Sequence, residues 1–217
     1  MPDPREARRA VDKLHNERLQ TLAYRNDSSE DVPPYGLLRI TGADYSDDLL
    51  TFLTINKPNT TFQRFYAVNG PSLVPAGQYG TCSLGFGSVL MVAIDTGTPA
   101  YGEGWGAKPA SWKLNKNYPG GGFTVIGGNN TDKGTSLFVQ QPVNSLIGVL
   151  NGALAEGASV SVSVWRGAGG SEADETNWDI TAYDYLMKTG ATNIASGKKC
   201  LLQFVNGVWY VTNAECA

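Results

Sequence analysis

Histidine is almost missing from this 217-residue chain, and other common tools of catalysis are scarce with it. The single histidine, His15, leaves no partner for a Ser-His-Asp or Cys-His arrangement and no histidine pair for a zinc site. Cys82, Cys200 and Cys216 are far apart and form no C-x-x-C pair. They predict reduced thiols, with a disulfide between Cys200 and Cys216 as the open alternative because these two flank a predicted hairpin.

Charged residues are also few: they make up 17% of the chain, and the formal net charge is −3. That balance gives no reason to expect a nucleic-acid partner or an anionic membrane surface. No run of 18 apolar residues occurs, so we expect no membrane insertion. The first 20 residues are charged and lack the apolar core of a signal peptide, which predicts synthesis in the cytoplasm without secretion.

Glycine, small polar residues and aromatic residues fill the chain instead, with 26 glycines in all. Between residues 32 and 98, five short segments alternate apolar and polar residues and end in turn residues. Later, SVSVSVWR alternates strictly, and Asn206-Gly207 marks a hairpin turn. The sequence therefore predicts a mainly β protein, built from one or two small antiparallel barrel or sandwich domains. The segment 143–157 fits either a short helix or a strand pair.

The first 24 residues predict a helix. Asp3 and Pro4 suit its N-cap and first turn. Its apolar residues share one stripe at helical spacing: Ala7, Val11, Leu14, Leu19 and Leu22. This stripe must be buried, either on the chain's own domain or on another chain, and both remain open. The resulting organisation is a helix and linker (1–31), a β domain (32–98), an aromatic connecting loop (99–122) and a second β domain (123–217).

The connecting loop carries Tyr101, Trp105, Trp112 and Tyr118 among many glycines and prolines. Ordering such a segment costs roughly 1–2 kcal/mol per residue, and burial of four aromatic rings offsets only part of that cost. We therefore expect the loop either to wrap tightly around its own barrel or to be ordered by another subunit. Exposed rings would instead offer a stacking platform for sugars.

Two acidic clusters offer the one enzymatic alternative, since paired carboxylates can hydrolyse glycosides. They are Asp44, Asp47 and Asp48, and Glu172, Asp174 and Glu175. Both clusters lie in hydrophilic turns where acidic residues are common. We therefore expect no enzyme, and no cofactor or metal.

Four segments resemble poorly characterised structural proteins of tailed bacteriophages and prophages, over about residues 32–128. They are VPPYGLLRITG, FYAVNGPSLVPAGQYGTCSL, PAYGEGWGAKPASWKL and YPGGGFTVIGG. The resemblance implies a virion-associated structural role and brings no catalytic residues with it. It therefore implies a protein made in the host cytoplasm and incorporated into the virion.

The expected function is a structural component of a tailed-phage virion, associated with the tail, baseplate or fibre or decorating the capsid. It would act by assembly with other virion proteins and with itself, as a homo-oligomer for which family analogy favours a trimer. The expected assembly interface consists of Val11, Leu14, Leu22, Tyr101, Trp105, Trp112 and Tyr118. The alternative is a carbohydrate-binding module that recognises host surface glycans through the loop aromatics.

Overall fold

A computed structural model describes residues 21–45, 51–59, 62–118, 122–130, 132, 134–164, 179–185 and 192–215. These described residues form fifteen strands and contain no helix. The strands group into two closed barrels with a third, curled sheet between them along the chain. The expectation of a mainly β protein with small barrels is confirmed.

The first barrel contains five strands. They are β1 (Thr21–Asn26), β2 (Leu37–Tyr45), β3 (Thr51–Asn56), β4 (Ala67–Asn69) and β5 (Tyr79–Ser83). Around the barrel they follow the order β1-β3-β2-β4-β5, and β5 closes onto β1. A closed ring with an odd number of strands cannot alternate direction throughout, so one neighbouring pair must be parallel. Here that pair is β1 and β3.

The middle sheet also has five strands. They are β6 (Val89–Ala93), β7 (Gly104–Ala107), β8 (Leu114–Asn115), β9 (Phe123–Asn130) and β10 (Thr135–Gln140). Their order is β6-β10-β9-β7-β8. A parallel bridge between Ile94 and Leu114 joins the two outer strands. With that bridge the ring reads β6-β8-β7-β9-β10, which is the order of the first barrel.

The last barrel is closed as well. Its strands are β11 (Ser145–Leu150), β12 (Ser159–Val164), β13 (Asp179–Asp184), β14 (Lys199–Val205) and β15 (Val208–Ala214). They follow the order β11-β12-β13-β15-β14, and β13 and β15 are parallel. Starting at the parallel pair, the ring reads β13-β15-β14-β11-β12. The three units therefore repeat one ring of strands, and in the last unit the chain enters that ring at a different strand.

A recurring turn introduces strands in the two closed barrels. Val32 bridges Val74 before β2 and β5, and Leu154 bridges Ile194 before β12 and β14. The third residue after each bridging residue has a positive φ, between 58° and 81°: Tyr35, Gly77, Gly157 and Gly197. Glycine adopts this conformation without steric cost, and three of the four positions hold it.

One hydrophobic cluster joins the outside of the first barrel to the middle sheet and the last barrel. Leu37 and Val68 lie on the outside of the first barrel and pack with Phe123 and Phe138 of the middle sheet. Tyr66 also reaches the middle sheet, where its ring lies 6.5 Å from that of Phe123. The interior of the first barrel forms a separate cluster around Tyr24, Leu38 and Ile55.

The loop between β3 and β4 connects the first barrel to the last. The ring of Phe62 lies 6.1 Å from that of Trp209 on β15. The Arg64 guanidinium lies 4.3 Å from the centroid of the Phe204 ring and donates a hydrogen bond of 2.6 Å to Asn144. Phe62 and Arg64 therefore make this strand connection a link between the two barrels as well.

Two expectations about the chain's organisation need correction. The predicted helix ended near Tyr24, but Thr21–Asn26 is strand β1, and Leu22 packs against the interior cluster of the first barrel. Leu22 and Tyr24 face inward by strand alternation, whereas residues two apart in a helix lie on nearly opposite sides. The rest of the predicted helix lies outside the described residues.

The predicted domain boundaries also differ from the observed sheets. Strand β6 belongs to the middle sheet and not to the first domain, and the predicted connecting loop contains β7 and β8. The segment left open between helix and strand contains β11 and the turn before β12. Strands as short as β8 lack the length over which a sequence pattern becomes visible.

The recurring turn generates a stability prediction. Gly157 has φ 65°, and an added Cβ would meet no atom within 4 Å. Gly157→Ala should therefore cost about 1–2 kcal/mol through backbone strain alone. The control is Gly152→Ala, where φ is not positive and the new Cβ makes an ordinary 3.5 Å contact with Val160. We expect it to leave stability unchanged or slightly raised in urea unfolding. Equal destabilisation by both variants would refute the role of the positive φ.

Candidate functional site

The predicted interface residue Trp105 is a core residue. It lies on β7 with a side chain 0% exposed, and its ring centroid is 5.9 Å from that of Phe138. Its indole N–H donates a hydrogen bond of 3.2 Å to Glu103, whose carboxylate also accepts one of 3.0 Å from the backbone N–H of Ala100. These two donors, Ala100 first, hold the pKa of Glu103 below its usual range.

Trp112 is buried in a different unit. It is 7% exposed and packs into the interior cluster of the first barrel, although the chain has already left that barrel. Its carbonyl accepts a hydrogen bond of 2.7 Å from the Leu37 N–H, and the neighbouring Ala110 N–H donates one of 2.8 Å to Pro58. The Lys57 ammonium lies 5.7 Å from the centroid of the Trp112 ring. The aromatic connecting loop thus packs the middle sheet against the first barrel.

Each tryptophan ring thus fills a barrel interior, which is the tightly wrapped arrangement among those that the sequence left open, and neither ring is exposed for contact with another subunit or a sugar. Tyr118 is half-buried against the core, whereas Tyr101 is 83% exposed. Of the other predicted interface residues, Leu22 lies on β1 and faces the first barrel's interior. Val11 and Leu14 lie outside the described residues.

A small polar cluster links the aromatic connecting loop to the residues that follow β6. Asp95 accepts hydrogen bonds of 2.7 Å from the Lys108 ammonium and 3.1 Å from the Asn115 amide. The hydrogen bond from Lys108, and after it the one from Asn115, lowers the pKa of the Asp95 carboxyl. The Asp95 carboxylate in turn raises the pKa of Lys108. Asp95 follows β6, Lys108 follows β7, and Asn115 is the last residue of β8. The cluster therefore joins the ends of three strands.

The strands β6 and β10 form an apolar surface that sequence reasoning missed. Leu90 and Val92 of β6 and Phe138 of β10 face the core. By strand alternation, the residues between them face outward. These outward residues pair across the strands, Val89 with Val139 and Met91 with Leu137. We call Val89, Met91, Leu137 and Val139 the outer apolar face; its signal in the sequence is the unbroken apolar run VLMVAI.

The outer apolar face is partly open to solvent. Val89 is 44% exposed, and Met91, Leu137 and Val139 are half-buried. The exposed Ile126 on the adjacent strand β9 extends the apolar surface beyond β10.

A cleft separates this face from the first barrel. Its smaller chamber, about 210 Å³, is lined by Val89 and Met91 together with Tyr35, Pro71 and Ser83 of the first barrel. Its larger chamber, about 510 Å³, shares Tyr35 and Pro71 and is lined also by Pro33, Pro34, Ala93, Lys113 and Gly134. Ser83 is the strand partner of Thr21, the first described residue. The N-terminal segment therefore joins the described structure beside this cleft.

The described residues hold few of the chemistry-bearing side chains considered from the sequence. Among the described residues, no group of three His, Cys, Asp or Glu could hold a metal ion. Cys82 and Cys200 are buried free thiols, and burial raises their pKa values to about 12 and about 11. Of the two acidic clusters, only Asp44 lies within the described residues. His15 and Cys216 lie outside them. No helix in the described ranges has the length and apolar character needed to span a membrane.

Comparison with known proteins identifies no relative. No protein-family model, curated protein or solved structure matches the chain. Functional inference therefore depends on the surfaces described above.

The burial difference between two aromatic residues gives a direct test. Trp105→Ala should destabilise the protein by about 3–5 kcal/mol, because it empties a filled interior. Tyr101→Ala, in the same segment, should change stability by no more than about 0.5 kcal/mol. Urea unfolding followed by circular dichroism measures both. A small loss for Trp105→Ala would contradict its placement in the core.

The Asp95 cluster predicts a pH dependence. Because the pKa of Asp95 is lower in the folded protein than in the unfolded chain, its stabilisation is complete above the unfolded value of about 3.9 and is lost as pH falls through the folded value. Asp95→Asn should lower stability at about pH 6 and flatten its decline below about pH 4, as measured by urea midpoints. Glu103 retains its own contribution in the variant. Parallel profiles for the variant and the wild type would show that the Lys108–Asp95 pair does not stabilise the fold.

Proposed function

We propose that the protein is a structural component of a tailed-phage virion that acts through assembly with copies of itself and with other virion proteins. In this proposal it is made in the host cytoplasm and incorporated into the tail, baseplate or fibre, or onto the capsid surface. The proposal rests on the resemblance of residues 32–128 and on one structural observation, the outer apolar face.

The outer apolar face supports assembly because β6 is apolar on both sides and β10 adds Leu137 and Val139 to its outward side. Strands that face water on one side normally carry polar residues there, whereas strands covered on both sides read as continuous apolar runs. The last barrel shows the usual pattern: Ser159, Ser161 and Ser163 face outward from β12, while Val160 and Val162 are buried. The contrast indicates that the outer face of β6 and β10 is covered in the working assembly.

We assign the cover to the N-terminal segment of a neighbouring copy. Residues 1–20 carry the apolar residues Val11 and Leu14 at helical spacing, and the segment joins the described structure at Thr21, beside the cleft. Leu22 no longer belongs to this stripe because it faces the first barrel's interior. Exchange of such segments around a closed ring buries every copy of the face, and a trimer is the proposed state.

The carbohydrate-binding alternative loses its expected platform in the aromatic loop. The rings of Trp105 and Trp112 are buried and cannot stack on a sugar without unfolding their surroundings. Glycan recognition through the loop would have to depend on Tyr101 and Tyr118. Assembly is therefore the function that the observed surfaces favour.

Association should depend on the apolar stripe of the N-terminal segment. Leu14→Asp places a charge on the stripe and should weaken self-association at least about tenfold, because burying an unpaired carboxylate is costly. Asn16→Asp is the matched control: it adds the same charge at a helical position roughly opposite the stripe. Sedimentation equilibrium of both variants and the wild type, with circular dichroism to monitor the β fold, measures the difference.

Two outcomes would contradict this assignment. A wild-type protein that remains a monomer at high concentration would show that its copies do not assemble through this face. Equal weakening by Leu14→Asp and Asn16→Asp would show that added charge, and not the stripe, controls association.

A further inference from the structure

The last barrel carries an aromatic cluster on its outer surface. Tyr183 on β13 and Tyr210 on β15 are strand partners, with ring centroids 6.4 Å apart. Tyr185, directly after β13, lies 5.8 Å from Tyr210. Tyr185 is 73% exposed and Tyr183 44% exposed. Two exposed aromatic rings therefore pack against the half-buried ring of Tyr210 at one end of the β13–β15 pair.

A fixed polar network lies farther along the same surface. The Ser163 hydroxyl donates to the Asp179 carboxylate at 2.8 Å or to the Asn151 amide oxygen at 3.0 Å. The Asn151 amide donates to the Ser161 hydroxyl at 3.1 Å. All four residues lie at least partly at the surface. Because they hold one another, their remaining lone pairs and protons have defined directions.

Strand geometry places the two groups on one face. Tyr183, Thr181 and Asp179 alternate outward along β13, opposite Ser159, Ser161 and Ser163 of β12. At about 3.4 Å per residue, the distance from Tyr183 to Asp179 is about 13 Å. Between them the outward side chains of β12 and β13 are the small hydroxyl residues Thr181, Ser159 and Ser161, so no bulky side chain separates the two groups. A short linear ligand could contact the rings at one end and the polar network at the other.

We infer that this surface, the outer face of β12, β13 and β15, binds a neutral oligosaccharide. Aromatic rings pack on the apolar C–H faces of pyranose sugars, while sugar hydroxyls need partners that both donate and accept. The tyrosine cluster supplies the aromatic rings. The hydrogen-bond partners are Ser161, Ser163, Asn151 and Asp179. This inference does not depend on virion assembly, although a surface glycan of the host would be a fitting ligand for a virion protein.

Charge argues against other linear ligands. Strands β12, β13 and β15 carry Asp179 and Asp184 but no lysine or arginine. Single-stranded nucleic acid also stacks on aromatic rings, but its binding grooves are positively charged. The same carboxylates disfavour acidic sugars, so a neutral chain is the ligand class that fits.

Calorimetric titration of the full chain with maltopentaose, cellopentaose and chitopentaose tests the inference. We expect saturable binding of at least one of them. Tyr185→Ala should weaken it about tenfold, whereas Tyr185→Trp should retain it because stacking needs the ring and not the hydroxyl. Ser163→Ala should also weaken binding, because it removes the hydroxyl that orients Asp179 and Asn151. Tyr101→Ala, an exposed tyrosine of the middle sheet, should have no effect.

The measurements are interpretable only if the variants stay folded, so thermal unfolding accompanies each titration. Tyr185 is largely exposed, and its substitution should leave the unfolding temperature unchanged. Three results would overturn the inference: no saturable binding of any of the three sugars, binding that survives Tyr185→Ala, or tighter binding of an oligothymidylate. Unchanged sugar binding by the Leu14→Asp variant, whose self-association we expect to be weakened, would separate this site from the assembly proposal.

Discussion

The central physical constraint in this protein is that strand β6 is apolar on both faces, while β10 beside it adds Phe138 to the core and Leu137 and Val139 to the outward face. Their inner residues, including Val92 and Phe138, build the part of the core that receives Leu37 and Val68 from the first barrel. Their outer residues form the outer apolar face, where nothing in the described residues provides a complete cover. This pair of strands therefore helps to hold two units together on one side and leaves apolar side chains partly open to solvent on the other.

The buried aromatic segment follows from the same arrangement. The middle sheet closes only through the parallel bridge between Ile94 and Leu114, and β8 is two residues long. So short a strand cannot hold its place by ladder hydrogen bonds alone. Trp105 on one side and Trp112 on the other anchor it by burial, in the middle sheet and the first barrel respectively. The rings are thus structural, and the surfaces left for recognition lie elsewhere.

Local patterns in the sequence predicted much of the fold but little of the candidate sites. The alternation of SVSVSV and the Asn206-Gly207 turn, with φ values of 49° and 90°, appear as β12 and the β14–β15 hairpin. Burial of Trp105 could not be predicted, because the residues that cover it come from distant strands. The tyrosine cluster was missed for the same reason: Tyr183 and Tyr210 become neighbours only through a parallel pairing. Leu22 and Tyr24 share the inward face of β1 because they are two residues apart, a spacing that places residues on one face of a strand but not of a helix.

Cross-linking between two differently tagged copies tests the account most directly. One copy carries Leu14→Cys and the other Val89→Cys, both with Cys216→Ser, while the native thiols of Cys82 and Cys200 stay buried and protonated. If the N-terminal stripe of one copy covers the outer apolar face of the next, mild oxidation should yield a disulfide between the two tags. The account would be contradicted if no mixed product forms. It would also be contradicted if a further variant, which carries both Leu14→Cys and Val89→Cys in one chain, forms the disulfide only within that chain.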